Sequence, residues 1–185
     1  LGAHLAADAA RAAHLCKADL VTGAVVEFTS VQGIMGSYYA KAAGETDVVA
    51  GAIADHYRPR FSGDATPATR VGKAVAFADK LDTICGLFAV DQAPTGSSDP
   101  FALRRSALGI VAMLTGDDAI DVELVPAIDA SLAAYAADGI EFDAAAVREQ
   151  VIEFFITRTK VMVRDGGSSA DAIDAVLAAG VREPL

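Results

Sequence analysis

Apolar positions along this chain recur with the period of an α-helix, and no stretch requires the two-residue alternation of a strand. The clearest pattern is VGKAVAFADKLDTICGLFAV, residues 71–90. Phe77, Leu81, Ile84 and Phe88 follow at intervals of four, three and four, so they share one helical face. A second stripe, Gly72, Ala76, Asp79, Thr83 and Gly86, is almost all small and admits another helix backbone at close range. The pattern fades at Gln92, and Pro94, Gly96, Ser97 and Ser98 predict a turn. Asp99-Pro100 then restarts a helix, with Asp as N-cap and Pro at the first helical position. Arg104 and Arg105 fall near that start, where the macrodipole disfavours cations, so the pair is expected to face a carboxylate or a phosphate.

The same reading predicts a helix over residues 3–28, interrupted at Gly23, with Leu15, Leu20, Val21 and Val25 in the core. Thr29-Ser30 caps a second helix over 31–43, closed by Gly44. It carries Gly33 and Gly36 on one face, where smallness serves close helix packing. A third helix covers 45–57 with Val48, Val49, Ala52 and Ile53 facing in, and Arg58-Pro59 ends it. After a loop over 62–69 comes the central helix, and then helices over 101–114, 121–137, 142–164 and 168–179. Val147, Val151, Ile152, Phe155 and Ile156 are the core positions of the helix over 142–164. Only residues 120–124 invite a short extended piece, so the fold class is all-α.

Composition agrees. The 185 residues are 53% hydrophobic, much of it alanine, with no tryptophan, which favours closely packed helices. Sequence character shifts near Gly116, dividing residues 1–116 from a plainer helical stretch, 117–185, that packs on the core or leads to a further domain. The opening at Leu1 within a helical pattern reads as a segment excised from a longer protein. No apolar run is long enough to span a bilayer, and no leader pattern opens the chain. Cys16 and Cys85 lie in apolar helical pattern and read as buried free thiols of a reducing compartment. The net charge of −10 argues against a free-standing nucleic-acid binder, because neutralising phosphates supplies most non-specific affinity. A local basic patch stays open.

The motifs ADKLDT, GLF and PTG-x-x-DPFALRR-x-ALG follow KADLVT, EF-x-x-VQGIMG-x-YYA, GE and HY-x-PRF in order. With them the chain resembles the β subunit of the bacterial two-subunit glycyl-tRNA synthetase, strongly over roughly residues 10–115. It departs from the family's usual Gly at Asp91, from a Pro near Thr29-Ser30, and from a frequent Arg near Ala112. The resemblance implies a cytoplasmic enzyme of α2β2 assembly. In it the α subunit carries the amino-acid and ATP chemistry, with ATP and Mg as cofactors, and the β subunit helps bind and position tRNA-Gly. For this segment it implies no cofactor of its own and neither DNA nor membrane as partner.

The order of motifs also resembles His-Asp (HD) phosphohydrolase domains, which implies an HD-domain-like helical bundle with additional C-terminal helices. Such domains gather a His, an adjacent His-Asp pair and a later Asp around a divalent metal. Here AAHLCKAD stands where the His-Asp helix would be, and Asp79 where the final Asp would be. No His-Asp pair exists, Asp55-His56 is reversed, and Lys17 puts an ammonium where a ligand belongs. Lys17, Asp19, His56, Asp79 and Asp82 therefore read as remnants of a degenerate site, with no metal and no catalytic residue. Asp79 and Asp82, three apart, could pair for acid–base work; the plainer reading buries Asp79 against Lys17 or an arginine. No Ser/His/Asp arrangement or Gly-rich phosphate loop is recognisable.

The cations carry more. Arg58 and Arg60 flank Pro59 beside Tyr57 and Phe61, and Lys73, Lys80, Arg104 and Arg105 come from the central stretch. Guanidinium forks suit phosphate oxygens and aromatics suit exposed bases. The plainer alternative pairs each cation with one of the surplus carboxylates, 25 acidic against 15 basic residues. Arg58, Arg60, Lys73, Arg104 and Arg105 are the expected tRNA contacts, the last two foremost, while His4, His14 and Lys41 read as ordinary surface residues. The expected role is a non-catalytic tRNA-positioning and scaffold module of glycine–tRNA ligase. The alternatives are an active HD-type metal-dependent phosphohydrolase and a purely structural module that docks the α subunit.

Overall fold

The structure is a computed structural model that describes residues 2–61 and 63–165. Among the described residues it is all-α, with eight α-helices, no strand, and one isolated bridge between Thr95 and Ser98. The helices are α1 (Ala3–Leu15), α2 (Gly23–Glu27), α3 (Ile34–Ala42), α4 (Asp47–Asp55), α5 (Arg70–Ala89), α6 (Leu103–Thr115), α7 (Leu124–Ala137) and α8 (Ala144–Asp165). Two compact units, Leu1–Asp79 and Lys80–Leu185, divide within α5. The helix expected over 168–179 lies outside the described residues.

In the first unit α4 packs against both α1 and α3. Ala12, Cys16, Ala40, Val49, Ala50, Ala52, Ile53, Val71 and Val75 make its core, the alanines allowing the helices to close. Residues 3–28 form three pieces instead of the expected single helix: α1, a 3-10 turn at Ala18–Val21, and α2. Asp19 explains the break. Its carboxylate is 1% exposed, and its Oδ2 accepts the backbone N–H of Gly33 at 2.6 Å and of Gly36 at 2.9 Å. Turning Asp19 inward carries Leu20 (40% exposed) and Val21 (87% exposed) out of the core positions expected for them, while Val25 is buried.

Gly33 stands outside the helix it was expected to join. Its φ of +78° is a backbone conformation that costs glycine little, and α3 begins one residue later. Gly36 does meet the packing expectation, since a Cβ there would lie 2.9 Å from Ile53 Cγ2. Thr46 caps α4 by accepting the Val49 N–H on its Oγ1 at 3.2 Å. Val49, Ala52 and Ile53 point inward, and Val48 is exposed, contrary to expectation.

The helical face predicted along α5 is observed, with Phe77, Leu81, Ile84 and Phe88 all buried. In the second unit α8 packs against α6 and α7. Leu103, Ile110, Met113, Leu124, Ile128, Val151 and Phe155 are fully enclosed, and Phe88 meets Phe154 edge-on at 5.2 Å. Helix α6 starts later than expected. Ala102 has a left-handed φ of 55°, and the Asp99 carboxylate reaches past it to the N–H groups of Leu103 (2.8 Å) and Arg104 (3.0 Å). Pro100 therefore lies in the turn and not at the first helical position. Residues 120–123 precede α7 without forming a strand.

Candidate functional site

In the first unit the groups expected as remnants of a metal site are each engaged otherwise. Lys17 Nζ donates to Asp79 Oδ2 at 3.0 Å and lies over the Tyr57 ring, 4.2 Å from its centroid. Burial alone would lower the Lys17 pKa; the Asp79 charge and hydrogen bond outweigh it, and the net shift is upward. The ammonium is held charged against Asp79, the pairing that the plainer reading expects, but Asp79 is partly exposed and not buried as that reading has it. Burial pushes the Tyr57 hydroxyl and the Cys16 thiol up, so neither is a ready nucleophile. His56 is fully buried against Tyr57, ring centroids 3.9 Å apart. Its Nδ1 lies 2.6 Å from the Ile53 carbonyl, which only accepts, so Nδ1 carries the proton. Asp19 is turned to the two glycine amides. Asp82 is exposed in the second unit, where its backbone carbonyl accepts from Tyr135 at 3.1 Å.

A divalent metal needs several converging deprotonated ligands. Among the described residues no three His, Cys, Asp or Glu side chains are grouped to hold one, and an ammonium takes the Asp79 oxygen a cation would need. The residues do not fit an HD-type metal.

Several cations face carboxylates. Arg11 pairs with Glu45, Lys41 with Asp47 at 2.9 Å, and Arg148 with Asp129 at 2.6 Å. Arg58 faces Asp55 at 3.3 Å and stays exposed. Arg60 is half-buried, its guanidinium 5.9 Å from the Tyr57 ring centroid, and its backbone N–H donates to Asp64 Oδ2 at 2.7 Å. The Arg58–Pro59 peptide is cis. Lys73 is enclosed, only 3% exposed, and so is not presented to a ligand at the surface of this chain.

Arg104 is used inside its own loop. Its Nη2 donates to the Gly96 carbonyl at 2.7 Å and its Nη1 reaches the Ser98 carbonyl at 3.5 Å, fastening the turn that leads into α6. Arg105 beside it is exposed. Sequence reasoning missed a further cation of the same unit, Arg158, whose guanidinium lies 4.3 Å over the Phe154 ring. The signal was present, because Phe154 and Arg158 are four residues apart on one helix. Burial pulls the Arg158 pKa down, the nearby Arg104 charge adds to that, and Asp99 opposes it.

No helix among the described residues is long and apolar enough to cross a membrane. The sequence profile described as glycyl-tRNA synthetase beta subunit matches residues 1–178. The glycine–tRNA ligase beta subunit of Clostridioides difficile is 48% identical over 176 residues, which cover 95% of this chain and 25% of that protein. Its counterpart in Methylobacillus flagellatus is 49% identical over 174 residues, covering 94% and 24%. That of Acidithiobacillus ferrooxidans is 46% identical over 180 residues, covering 97% and 26%. The chain thus spans about a quarter of the length of these curated relatives. With nearly all of its residues matched, the chain belongs to the glycyl-tRNA synthetase beta subunit family.

Proposed function

We propose that this chain is a non-catalytic scaffold and tRNA-positioning part of the β subunit of a glycine–tRNA ligase. The whole enzyme acts in the cytoplasm on glycine, ATP with Mg, and tRNA-Gly. It assembles with an α subunit, as α2β2, and the α subunit performs the adenylate chemistry. On the family reading an HD-like core spans residues 1–116, and residues 117–185 are the stretch that follows it. The observation that carries the non-catalytic reading is the Lys17–Asp79 pair, an ammonium where an active HD-type phosphohydrolase would need a metal.

The tRNA-facing part of the reading rests on cations presented at the surface: Arg58 and Arg60 in the first unit, Arg104 and Arg105 in the second. Changing Arg104 and Arg105 to Ala in the assembled enzyme should raise the KM for tRNA several-fold and leave glycine-dependent ATP–pyrophosphate exchange unchanged. Because Arg104 also fastens its loop, Arg105→Ala alone is the cleaner companion. An unchanged tRNA KM in both variants refutes the contact.

A second reading, docking of the α subunit, is favoured by one feature. Val21, Val26, Phe28 and Tyr38 are exposed within one short stretch of the first unit. Charged substitutions there would weaken subunit assembly, and a wild-type assembly state would remove this reading.

A further inference from the structure

We infer that Arg158, acting with Arg104, seats a phosphate of the RNA backbone. This rests on the tRNA-positioning reading above and adds to it a residue, a geometry and a ligand group.

Arg158 is held in one orientation by its neighbours. Its guanidinium stacks on Phe154, which is itself buried and set by the edge contact with Phe88. Stacking occupies the face of the guanidinium and leaves the N–H edge, the part that matches an oxyanion, for a ligand. Among the described residues no hydrogen bond uses that edge. Arg104 is held equally firmly, through the Gly96 and Ser98 carbonyls. The two helices that carry these residues, α6 and α8, pack on each other.

The charges are the unusual part. In a chain of net charge −10, Arg11, Lys17, Lys41, Arg58 and Arg148 all find carboxylates. Among the described residues neither Arg104 nor Arg158 has an ion pair. Each cation feels the other, as the Arg104 contribution to the lowered Arg158 pKa records. Asp99, the nearby counter-charge, is committed to the N–H groups of Leu103 and Arg104. An incoming phosphate would offset the repulsion and satisfy the Arg158 fork, with the Arg104 charge beside it, which a pair built only for stability would not need.

The test uses the full-length β subunit assembled with its α subunit, and an unmodified glycine tRNA transcript. Arg158→Gln should raise the tRNA KM roughly five- to tenfold and lower the salt slope of tRNA binding by about one charge, with ATP–pyrophosphate exchange unchanged. Arg158→Lys keeps the charge and loses the fork, so its salt slope should stay at the wild-type value while KM rises less. If Arg104/Arg105 changes raise KM and Arg158→Gln alters neither KM nor slope, this inference is overturned and the tRNA reading stands. If none of the arginine changes has an effect, the reading falls and takes the inference with it. Should Arg158→Gln fail to fold, Arg158→Lys decides, and a wild-type KM there overturns the fork.

Discussion

Replacing Asp19 removes the link between the break after α1 and the start of α3. Its Oδ2 is the shared acceptor for two backbone N–H groups, at 2.6 Å from Gly33 and 2.9 Å from Gly36, in a site 1% exposed. Asp19→Ala orphans both donors, and each buried unsatisfied amide costs about 1–3 kcal/mol. An opposing effect comes from Oδ1, which is buried without a hydrogen-bond partner, so losing the carboxylate also relieves about 1–2 kcal/mol of desolvation. The net expectation is a loss of about 1–4 kcal/mol, a sizeable share of the roughly 5–15 kcal/mol that stabilises a domain. Asp19→Asn preserves shape and offers a carbonyl to the same two amides. It gives up only the charge assistance, and about 1 kcal/mol should be lost. Urea denaturation of the chain followed by circular dichroism, with slopes compared, reads both values. An Ala variant within about 0.5 kcal/mol of wild type, or an Asn variant as damaged as Ala, would refute this account of the break.

Two helix glycines should respond oppositely to alanine. At Gly86 a Cβ would sit 2.7 Å from Tyr135 Cζ, so Gly86→Ala should cost about 1–3 kcal/mol, and the cost should vanish in a Tyr135→Ala background. At Gly51 nothing lies within 4 Å, so Gly51→Ala should stabilise by about 0.5–1 kcal/mol in the same denaturation assay. Stability should also fall at alkaline pH. Burial pushes the Cys85 thiol up to about 11 from 9.0, so its contribution is complete below about pH 9 and is lost as pH rises through 11. The two-unit shift corresponds to about 2–3 kcal/mol, and Cys85→Ala should flatten that part of the pH–stability curve. Saturating Mn²⁺ or Mg²⁺ should leave the thermal midpoint of the chain unchanged; a saturable upward shift would show a cation displacing the Lys17 ammonium from Asp79.

What could be read from the chain alone follows from how local each cause is. Phe77, Leu81, Ile84 and Phe88 were legible because a long helix with a buried face repeats its signal over several turns. The break at Cys16–Lys17 was not, because its cause is an acceptor for amides 14 and 17 residues away. Gly33 and Gly36 look alike in sequence; only the φ of +78° at Gly33 separates a residue before the helix from one within it. At Asp99 the cap was recognised but its reach was not. The side chain bonds N–H groups four and five residues on, past a left-handed Ala102, and so moves the helix start beyond Pro100. Among the site residues, the Lys17–Asp79 pair was anticipated because a carboxylate set in a helix stripe of small residues calls for a counter-charge and Lys17 was a named option, although Asp79 stays partly exposed. The partners of Arg104 are backbone carbonyls, which carry no sequence signal.

The groups expected as remnants of a metal site are tied into the first unit instead, and this narrows what that unit can do. Asp19 fastens the turn after α1 to α3, Asp79 anchors Lys17, and the His56 N–H closes on its own helix. Each of these acceptors and donors must be released before it could ligate or transfer a proton, at the cost of a buried hydrogen bond for Asp19 and His56 and of a partly exposed ion pair for Asp79. Hydrolytic chemistry of the HD type would therefore take more than supplying a His-Asp pair, since Lys17 would also have to leave Asp79. Arg158 needs no such release, since its N–H edge donates to nothing among the described residues. Arg105 is exposed, and Arg104 and Arg158 lack ion pairs among the described residues of a strongly acidic chain. On the reading proposed above, the electrostatic role of these arginines is to meet an anion there, with the rest of the chain's negative charge keeping nucleic acid from settling elsewhere on its surface.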